Sequence, residues 1–440
     1  MSVAGMVRGG LLLALAGTSV LVSAEDESFT MPATITLEFA LQQADSTHPE
    51  LEQARVAIEL AESERLDAES LTGTNVSIDA QLRYVDPNSS APDQSHDDHI
   101  VSLLASKNLY DFGRSAAAEQ AAAAAIQGEQ KNLIDVRNQR RLEIMQRYFD
   151  TLLADLAYLR DNEDMAVAFI RFDKARDRRE VGQVSDIEVL NEQNGYQQIR
   201  LKRYRSEARQ RSTRARLALA MNHPNQLPVN LQTPELSDLQ RERPELEVLQ
   251  EQARKNNPLL HAARARLVAA QARVDEAHAS DNPVLSGEFE ASDYNRAFGS
   301  RDDVRIGLRL KIPLTDGGRN KADVAKQRAR LRQARASYAE QQRNLEQVML
   351  ETWLELGSLS AQLDQATAQL DYTELYLDQR RALYELEAQA NLGDAMVRIS
   401  EAQRYMAETR FKTAMAWARL DALLGNTVNV QAPVTTGEGK

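Results

Sequence analysis

Hydrophobic and polar residues alternate in four short segments, 74–85, 99–109, 283–293 and 303–314. In the first segment, the apolar positions are Val76, Ile78, Ala80, Leu82 and Tyr84, and the positions between them are polar. A period of two predicts β-strands with one apolar and one polar face. Leu104 interrupts the alternation in the second segment. Four strands with an apolar face cannot close a barrel within one chain, so we expect several chains to contribute strands to one membrane barrel.

A long segment with heptad-like spacing follows each pair of predicted strands. From Phe112 to about Glu180 the chain has no proline, and apolar residues recur at steps of three and four. The second such segment includes Leu356 and Leu377. A helix that covers the first segment is about 100 Å long. A sustained period of 3.5 residues predicts coiled-coil packing against neighbouring helices.

A glycine is predicted to mark the far end of each long helix, Gly182 in the first case and Gly393 in the second. A returning helix follows each turn. Ser185 and Glu188 have the spacing of a capping box, which marks a helix N-terminus. Asp394 is expected to cap the second returning helix.

The order of helix, two strands, long helix and returning helix occurs twice. We place the first repeat at 25–222, a connector with four prolines at 223–245, and the second repeat at 246–425. The remaining residues, 426–440, are polar and are expected to form a flexible tail. Internal duplication is therefore the main organising feature of the chain.

The first 24 residues have the pattern of an export signal. Arg8 precedes a short apolar run over 10–22, and small residues end at Ala24, the predicted cleavage site. The chain has no cysteine, which excludes disulfides, thiolate metal sites and a lipid anchor on cysteine. The net charge of −12 argues against a general nucleic-acid binder. We therefore expect an exported protein that is not a lipoprotein.

Two similar motifs, LYDFGRS and LTDGGRN, join a predicted strand to each long helix. The corner residues that we single out are Leu109, Tyr110, Asp111, Gly113 and Arg114 in the first copy and Leu314, Asp316, Gly317, Gly318 and Arg319 in the second. Thr315 replaces the aromatic residue in the second copy, and Phe112 replaces the first glycine in the first copy. Glycines between a strand and a helix can cradle phosphate, but an aspartate would repel it and no Lys-Ser/Thr pair follows. We interpret both motifs as structural corners in which aspartate caps the helix, glycine takes an unusual backbone angle and arginine faces a polar rim.

These corner motifs resemble those of the TolC family of outer-membrane efflux proteins. The resemblance extends over about 35–425 and implies a mainly α fold with membrane β-structure. It implies a homotrimer in which each chain gives four strands to a 12-stranded β-barrel, continued by a long coiled-coil α-helical barrel in the periplasm of a Gram-negative bacterium. It also implies docking on a periplasmic adaptor (membrane fusion) protein that is held by an inner-membrane RND or ABC transporter. No cofactor or enzymatic activity is implied.

The resemblance also directs attention to the helix tips. In the family, the adaptor contact and a narrow gate lie at these turns, which here contain Gly182, Ser185, Gly393 and Asp394. Acidic residues beyond the turns often line the gate, and the corresponding candidates are Asp186, Glu188 and Glu401. Arg398 stands where a further acidic residue is expected. We predict a mixed ring of Glu401 and Arg398 that closes by ion pairing between chains.

Several functions remain open from the sequence. A passive duct for small-molecule efflux is favoured, type I protein secretion is the alternative, and a structural periplasmic coiled-coil protein is a more distant one. The acidic and histidine residues Asp93, His96, Asp97, Asp98 and His99 could in principle bind a metal, but we interpret them as a solvated external loop. No spacing of residues indicates a catalytic site.

Overall fold

A computed structural model describes residues 31–236, 239–296, 302–386 and 391–428. The predicted export signal and most of the predicted tail lie outside these residues. The description below therefore covers both repeats and nearly all of the connector.

The first repeat contains β1 (Thr34–Ile35), α1 (Leu37–Gln42), α2 (Pro49–Ser70), β2 (Thr74–Tyr84), β3 (Asp97–Tyr110), α3 (Arg114–Glu180) and α4 (Asp186–Ala220). The remaining elements are β4 (Asn230–Leu231), α5 (Leu246–Asn256), α6 (Pro258–Ala279), β5 (Val284–Tyr294), β6 (Val304–Lys311), α7 (Arg319–Glu385) and α8 (Leu392–Leu423). The fold is mainly α, with four longer strands, as the patterns predict.

The four longer strands form one antiparallel sheet in the order β2-β3-β5-β6. The register places Val76 opposite Ala105 and Ile78 opposite Leu103, so the apolar positions share one face. Leu104 pairs with Ser77 and Glu290 on the opposite face, which explains its break in the alternation. The last strand is shorter than predicted, because β6 ends at Lys311.

The two long helices have the same length and equivalent positions. Both α3 and α7 contain 67 residues, and their first residues are 205 positions apart (319 − 114). Near the sheet the packing order is α2-α3-α6-α7, and towards the tip it is α4-α3-α8-α7. In both tiers α7 lies at one edge, whereas α3 lies between two neighbours.

The main core lies at mid-height, where α3, α8 and α1 meet. Tyr148 and Phe149 of α3 are buried there, and the ring of Phe149 stacks on that of Phe411 at 4.4 Å between centroids. The predicted apolar stripe of α3 does not continue to the tip, because Leu159 is 57% exposed. Beyond Leu152 the buried residues of α3 are Ala154, Asp161 and Ala168, so no large apolar side chain of α3 is buried there.

The connector packs against the two tryptophans of the chain, Trp417 of α8 and Trp353 of α7, which belong to a second hydrophobic cluster. Arg241 lies 3.9 Å from the ring centroid of Trp417, and Arg243 lies 3.6 Å from that of Trp353. Trp353 Nε1 also donates a hydrogen bond to the carbonyl oxygen of Pro244 at 3.0 Å. The connector also contains β4, which pairs in parallel with β1. It is therefore a strap across α7 and α8.

Candidate functional site

The first strand-to-helix corner joins β3 to α3. Asp111 is buried, and its Oδ2 accepts a hydrogen bond from the backbone N–H of Ser115 at 2.8 Å. Gly113 precedes the helix with φ 98°, a left-handed conformation that residues with a Cβ rarely adopt. Asp111 thus satisfies one of the free N–H groups of the first helical turn, and Gly113 adopts the left-handed conformation at the junction of strand and helix.

The second corner joins β6 to α7 and is more exposed. Asp316 Oδ2 accepts a hydrogen bond from the N–H of Asn320 at 2.5 Å, and its Oδ1 accepts one from the N–H of Gly318 at 2.9 Å. These bonds, the one from Asn320 above all, lower the pKa of the Asp316 carboxyl. Gly317 and Gly318 both have positive φ, 71° and 91°.

The first corner places a phenylalanine where the second has a glycine. Phe112 is equivalent to Gly317 and also has a positive φ, 51°. This conformation costs a non-glycine residue about 1–2 kcal/mol. The Phe112 ring contacts the Tyr110 ring edge-on at 4.6 Å between centroids, and its carbonyl oxygen accepts a hydrogen bond from Asn282 Nδ2 at 3.0 Å. These contacts offset the backbone strain.

The arginine and the leucine of the first corner are also less exposed than their counterparts in the second corner. Arg114 is half-buried and Arg319 is exposed. Leu109 is 51% exposed and Leu314 is 92% exposed. The first corner therefore lies inside the layer of elements and the second lies at its edge.

The first tip turn connects α3 to α4. Gly182 has φ 74°, and Ser185 and Glu188 form a capping box, with Ser185 Oγ accepting from the N–H of Glu188 and Glu188 Oε2 accepting from the N–H of Ser185. Asp186 accepts a hydrogen bond at 2.5 Å from Nε of Arg179, at the end of α3. Ser185, Asp186 and Glu188 therefore all stabilise the turn itself.

The second tip turn differs from the sequence-based prediction. The returning helix α8 already begins at Leu392, so Gly393 and Asp394 lie in its first turn instead of in front of it. Gly393 serves close packing, because a Cβ there would lie 2.7 Å from Cγ2 of Val167 on α3. Asp394 forms an ion pair with Arg171 of α3 and does not cap the helix.

Glu401 lies two turns further along α8 and bridges to α3. Its carboxylate forms an ion pair with Arg160 of α3 and a second one with Arg404 of its own helix, at 3.0 Å. Partial burial raises the pKa of Glu401, but the hydrogen bonds from Arg404 and Arg160 outweigh it and the pKa falls below its ordinary value. Glu401 is therefore ionised and held within its own chain.

Arg398 does not join Glu401. Its guanidinium carbon lies 5.4 Å from the ring centroid of Tyr376 on α7, and Arg380 approaches the same ring at 4.8 Å. The two candidates that the sequence combines in one ring thus contact different helices, Glu401 contacting α3 and Arg398 contacting α7.

The Arg160 ion pair belongs to a larger charged cluster that links three helices. Arg160 Nη2 also contacts Asp161 Oδ1 at 2.6 Å, and Asp161 is only 2% exposed. Lys202 of α4 reaches the same Asp161 oxygen at 3.2 Å and contacts Asp164 at 3.5 Å. We call Arg160, Asp161, Lys202 and Glu401 the tip ion cluster. It joins α8, α3 and α4 side by side.

Sequence reasoning missed three of the four members of this cluster. Arg160, Asp161 and Lys202 lie within long helices that are rich in charge, where most charged residues face solvent. One signal was present, because Asp161 is equivalent to the apolar stripe residue Ala366 at the offset of 205 between the repeats. A carboxylate at a buried stripe position needs a cationic partner.

Comparison with known proteins agrees with this architecture. Residues 249–426 match the sequence model of the family described as "Outer membrane efflux protein". The match covers the second repeat from α5 to the end of α8, including the corner at Asp316 and the candidate Glu401. The matched residues make up about two fifths of the chain, and this part of the chain is similar to that family.

A curated relative and several solved structures are also similar to this chain. Protein CyaE of Bordetella pertussis is 29% identical over 275 residues, which are 61% of this chain and 56% of that relative. The chain thus matches little more than half the length of CyaE.

The structural similarity extends over both repeats. The CmeC outer membrane channel of Campylobacter jejuni superposes with a TM-score of 0.74 at 14% identity, covering 90% of this chain and 87% of CmeC. The open state of the MtrE outer membrane channel of Neisseria gonorrhoeae has a TM-score of 0.67 at 16% identity, covering 90% and 91%. VceC of Vibrio cholerae has a TM-score of 0.66 at 16% identity, covering 89% of this chain and 97% of VceC. At these identities the likeness establishes the fold.

Among the described residues, no helix combines the length and the apolar character that crossing a lipid bilayer requires.

Proposed function

We propose that the chain is one protomer of a homotrimeric exit duct in the outer membrane, which passively conducts small molecules from an inner-membrane transporter complex to the exterior. One observation carries the proposal. The sheet and both tiers of helices each have two uncovered edges, and these edges lie on the same two sides at every level. The first repeat supplies one edge at every level and the second repeat supplies the other.

The sheet has two unpaired edges within the part of the chain that the structure describes. Each of β2 and β6 pairs along one side only. Their apolar side chains are widely exposed, including Ile78 at 70% and Ile306 at 78%. Free backbone N–H and C=O groups on such strands are unfavourable in lipid, so β2 of one copy must pair with β6 of the next.

The helical tiers have the same open edges. The edge helices are α2 near the sheet and α4 near the tip on one side, and α7 along its whole length on the other. Large apolar side chains are exposed on these helices, among them Leu60, Ile187, Leu190, Leu354, Tyr372 and Leu375. Head-to-tail association of identical copies covers both edges and closes into a ring. A ring of three gives twelve strands and continues as a helical barrel, as the family resemblance implies.

The tips are the surface that we assign to a periplasmic adaptor and its inner-membrane RND or ABC transporter. Gly182 and Ser185 shape one turn, and Gly393 and Asp394 lie at the start of the other returning helix. The well-formed capping box and the Arg171–Asp394 ion pair support a tip of defined shape, which a protein partner requires. The helical part then lies in the periplasm and the sheet in the outer membrane.

The tip ion cluster is our candidate for the gate. Glu401 and Arg160 tie α8 to α3, and Lys202 ties α4 to α3. Widening the tip requires these helices to separate, so the ion pairs between helices favour the closed arrangement. Asp186 and Glu188 are less suited to this role, because both stabilise the first turn locally.

Single-channel conductance in planar bilayers tests the gate. We expect Glu401→Gln and Arg160→Gln to increase conductance several-fold, and the double variant to add little beyond either, since both remove the same ion pair. Glu408→Gln is a matched control, because Glu408 pairs with Arg404 and Lys412 on its own helix. Wild-type conductance in both Glu401→Gln and Arg160→Gln would reject the gate.

The duct itself is tested by cell fractionation and gene deletion. A heat-modifiable trimer in the outer-membrane fraction and increased drug susceptibility on deletion support small-molecule efflux. Loss of a large secreted protein with unchanged drug susceptibility would instead indicate type I secretion. Release of the protein with soluble periplasmic contents would contradict any duct.

A further inference from the structure

A single basic side chain lies on the apolar face of the sheet. Over the four strands as described, Lys107 is the one lysine or arginine that the register places on this face, where it lies between Thr74 of β2 and Gly287 of β5. Arginines on the polar face pair with carboxylates, as Arg309 does with Glu288 at 2.7 Å. The exposed ammonium of Lys107 thus faces outward among uncharged neighbours.

A groove of about 660 Å³ surrounds this lysine on the apolar face. Phe289 and Leu308 form parts of its wall, and Ala105 contributes only a methyl group. Gly287 leaves a gap beside Leu109, whose Cδ1 would be 3.5 Å from a Cβ at that position. Two small residues on adjacent strands, Ala105 of β3 and Gly287 of β5, therefore leave a depression with apolar walls.

Lys107 lies at the end of the sheet that adjoins the helices. Its partner Thr74 is the first residue of β2, and Tyr110 and Phe112 follow three and five residues later. A lysine facing lipid is strongly unfavourable at the middle of a bilayer and nearly neutral close to its surface. The flexible side chain can extend its ammonium towards the headgroup region, where aromatic residues also concentrate.

We propose that this depression, the Lys107 groove, binds an anionic phospholipid of the leaflet that faces the helices. One acyl chain lies against Phe289 and Leu308 across the gap at Gly287, and the phosphate contacts the ammonium of Lys107. The proposal rests on the proposed function, because it needs the apolar face of the sheet to meet lipid.

Lipid retention measured by native mass spectrometry tests the proposal. The assembled protein is exchanged into detergent micelles that contain equal amounts of phosphatidylglycerol and phosphatidylcholine. We expect the wild type to retain phosphatidylglycerol preferentially and Lys107→Gln to lower the ratio of the two lipids about fivefold, since one basic residue near the surface contributes about 1 kcal/mol. Lys311→Gln is the matched control, because Lys311 is at the same end on the polar face.

A second variant separates the acyl chain from the headgroup. Gly287→Leu fills the groove but leaves the charge of Lys107 in place, so we expect it to reduce retention of both lipids by a similar factor. An unchanged ratio in Lys107→Gln, an equal fall in Lys311→Gln, or undiminished retention in Gly287→Leu would overturn the proposal.

Channel formation is recorded with the same samples. If the Lys107→Gln trimer inserts and conducts like the wild type but keeps its lipid ratio, only the lipid site is rejected. If the wild type neither partitions into bilayers nor conducts, the duct is rejected and the lipid site with it.

Discussion

The two long helices began as copies of one another and now occupy different environments. Positions that are equivalent at the offset of 205 are buried in both, as Ile144 and Met349 are, or Ala168 and Thr373. Near the sheet they diverge, because α3 lies between α2 and α6, whereas α7 packs on α6 alone among these helices. The duplication thus produced one interior helix and one edge helix.

The sequence of each helix reflects this difference. In α3, Ala118, Ala121 and Ala122 are buried against neighbouring helices. The equivalent residues of α7 are Asp323, Lys326 and Gln327, which are polar and outside its buried set. Alanines allow neighbours to approach closely on two sides, and the edge helix has no such requirement within its own chain. The corners show the same contrast, with Asp111 buried and Asp316 exposed.

The largest expected effect concerns an acid on the interior helix. Burial raises the pKa of Asp135 on α3 to about 6, whereas the equivalent Glu340 on α7 is exposed. Because the folded pKa exceeds the ordinary value of 3.8, ionisation destabilises the fold progressively from about pH 4 to about pH 6 and above. Asp135→Asn should therefore stabilise the protein at pH 8 by up to about 3 kcal/mol, a shift of two units at 1.4 kcal/mol each.

Thermal unfolding of the assembled protein between pH 4 and pH 8 measures this effect. The gain in midpoint for Asp135→Asn should vanish near pH 4, and Glu340→Gln should change the midpoint little at any pH. A gain that does not depend on pH would show that the charge of Asp135 is not the cause.

A larger side chain should distinguish the interior helix from the edge helix. Ala122 is fully buried where α3 packs on α2, so Ala122→Leu should destabilise by about 1–3 kcal/mol through overpacking. The equivalent change on α7, Gln327→Leu, should stay within about 0.5 kcal/mol. The comparison uses unfolding midpoints in detergent, and equal losses in both variants would show that α7 is as tightly packed as α3.

Substitution of the corner glycines should have the same effect in both repeats, whereas substitutions in the two long helices should have different effects. Gly113→Ala and Gly318→Ala should each destabilise by about 1–2 kcal/mol, because both residues have φ near 90° and an added Cβ meets open space. Phe112→Gly should have a smaller effect, since relief of strain offsets loss of the Tyr110 contact. A large loss in Phe112→Gly would mean that the aromatic contact dominates the first corner.

The smallest expected effect concerns the exposed cap. Backbone hydrogen bonds, that of Asn320 first, hold the pKa of Asp316 below its ordinary value of 3.8. The stabilisation by its carboxylate is therefore present above about pH 4 and is lost as the pH falls through the lowered pKa. Asp316→Asn should lower the unfolding midpoint slightly at pH 7 and leave it unchanged near pH 2. A difference in unfolding midpoint that persists at low pH would show that the shape of the Asp316 side chain, and not its charge, causes the effect.

Much of the fold follows from local patterns. Alternation placed four strands within a few residues of their observed positions, and the heptad spacing indicated two long helices. Corner motifs marked where strand becomes helix. The prediction was wrong at the second tip turn, where Gly393 and Asp394 lie inside α8, because Gly393 is required for contact with Val167 and that contact leaves no local signal.

The candidate gate was harder to predict from the sequence than the fold. Glu401 was singled out by resemblance, but its partner Arg160 lies 241 positions away on another helix. Charged residues at helical spacing are usually solvated, and only packing of α3 against α8 brings these two together. Within one chain Arg398 contacts Tyr376 on α7, and the ring of Glu401 and Arg398 between chains stays a prediction.

By itself, the sequence determined the duplicated order of elements, the apolar face of the sheet and the left-handed corners, because each depends on residues close together in the chain. The tertiary structure decided which long helix lies inside and which at the edge, which charges pair between helices, and where Lys107 and Gly287 meet on one face. These features depend on contacts between segments far apart in sequence, and such contacts are specified by packing alone.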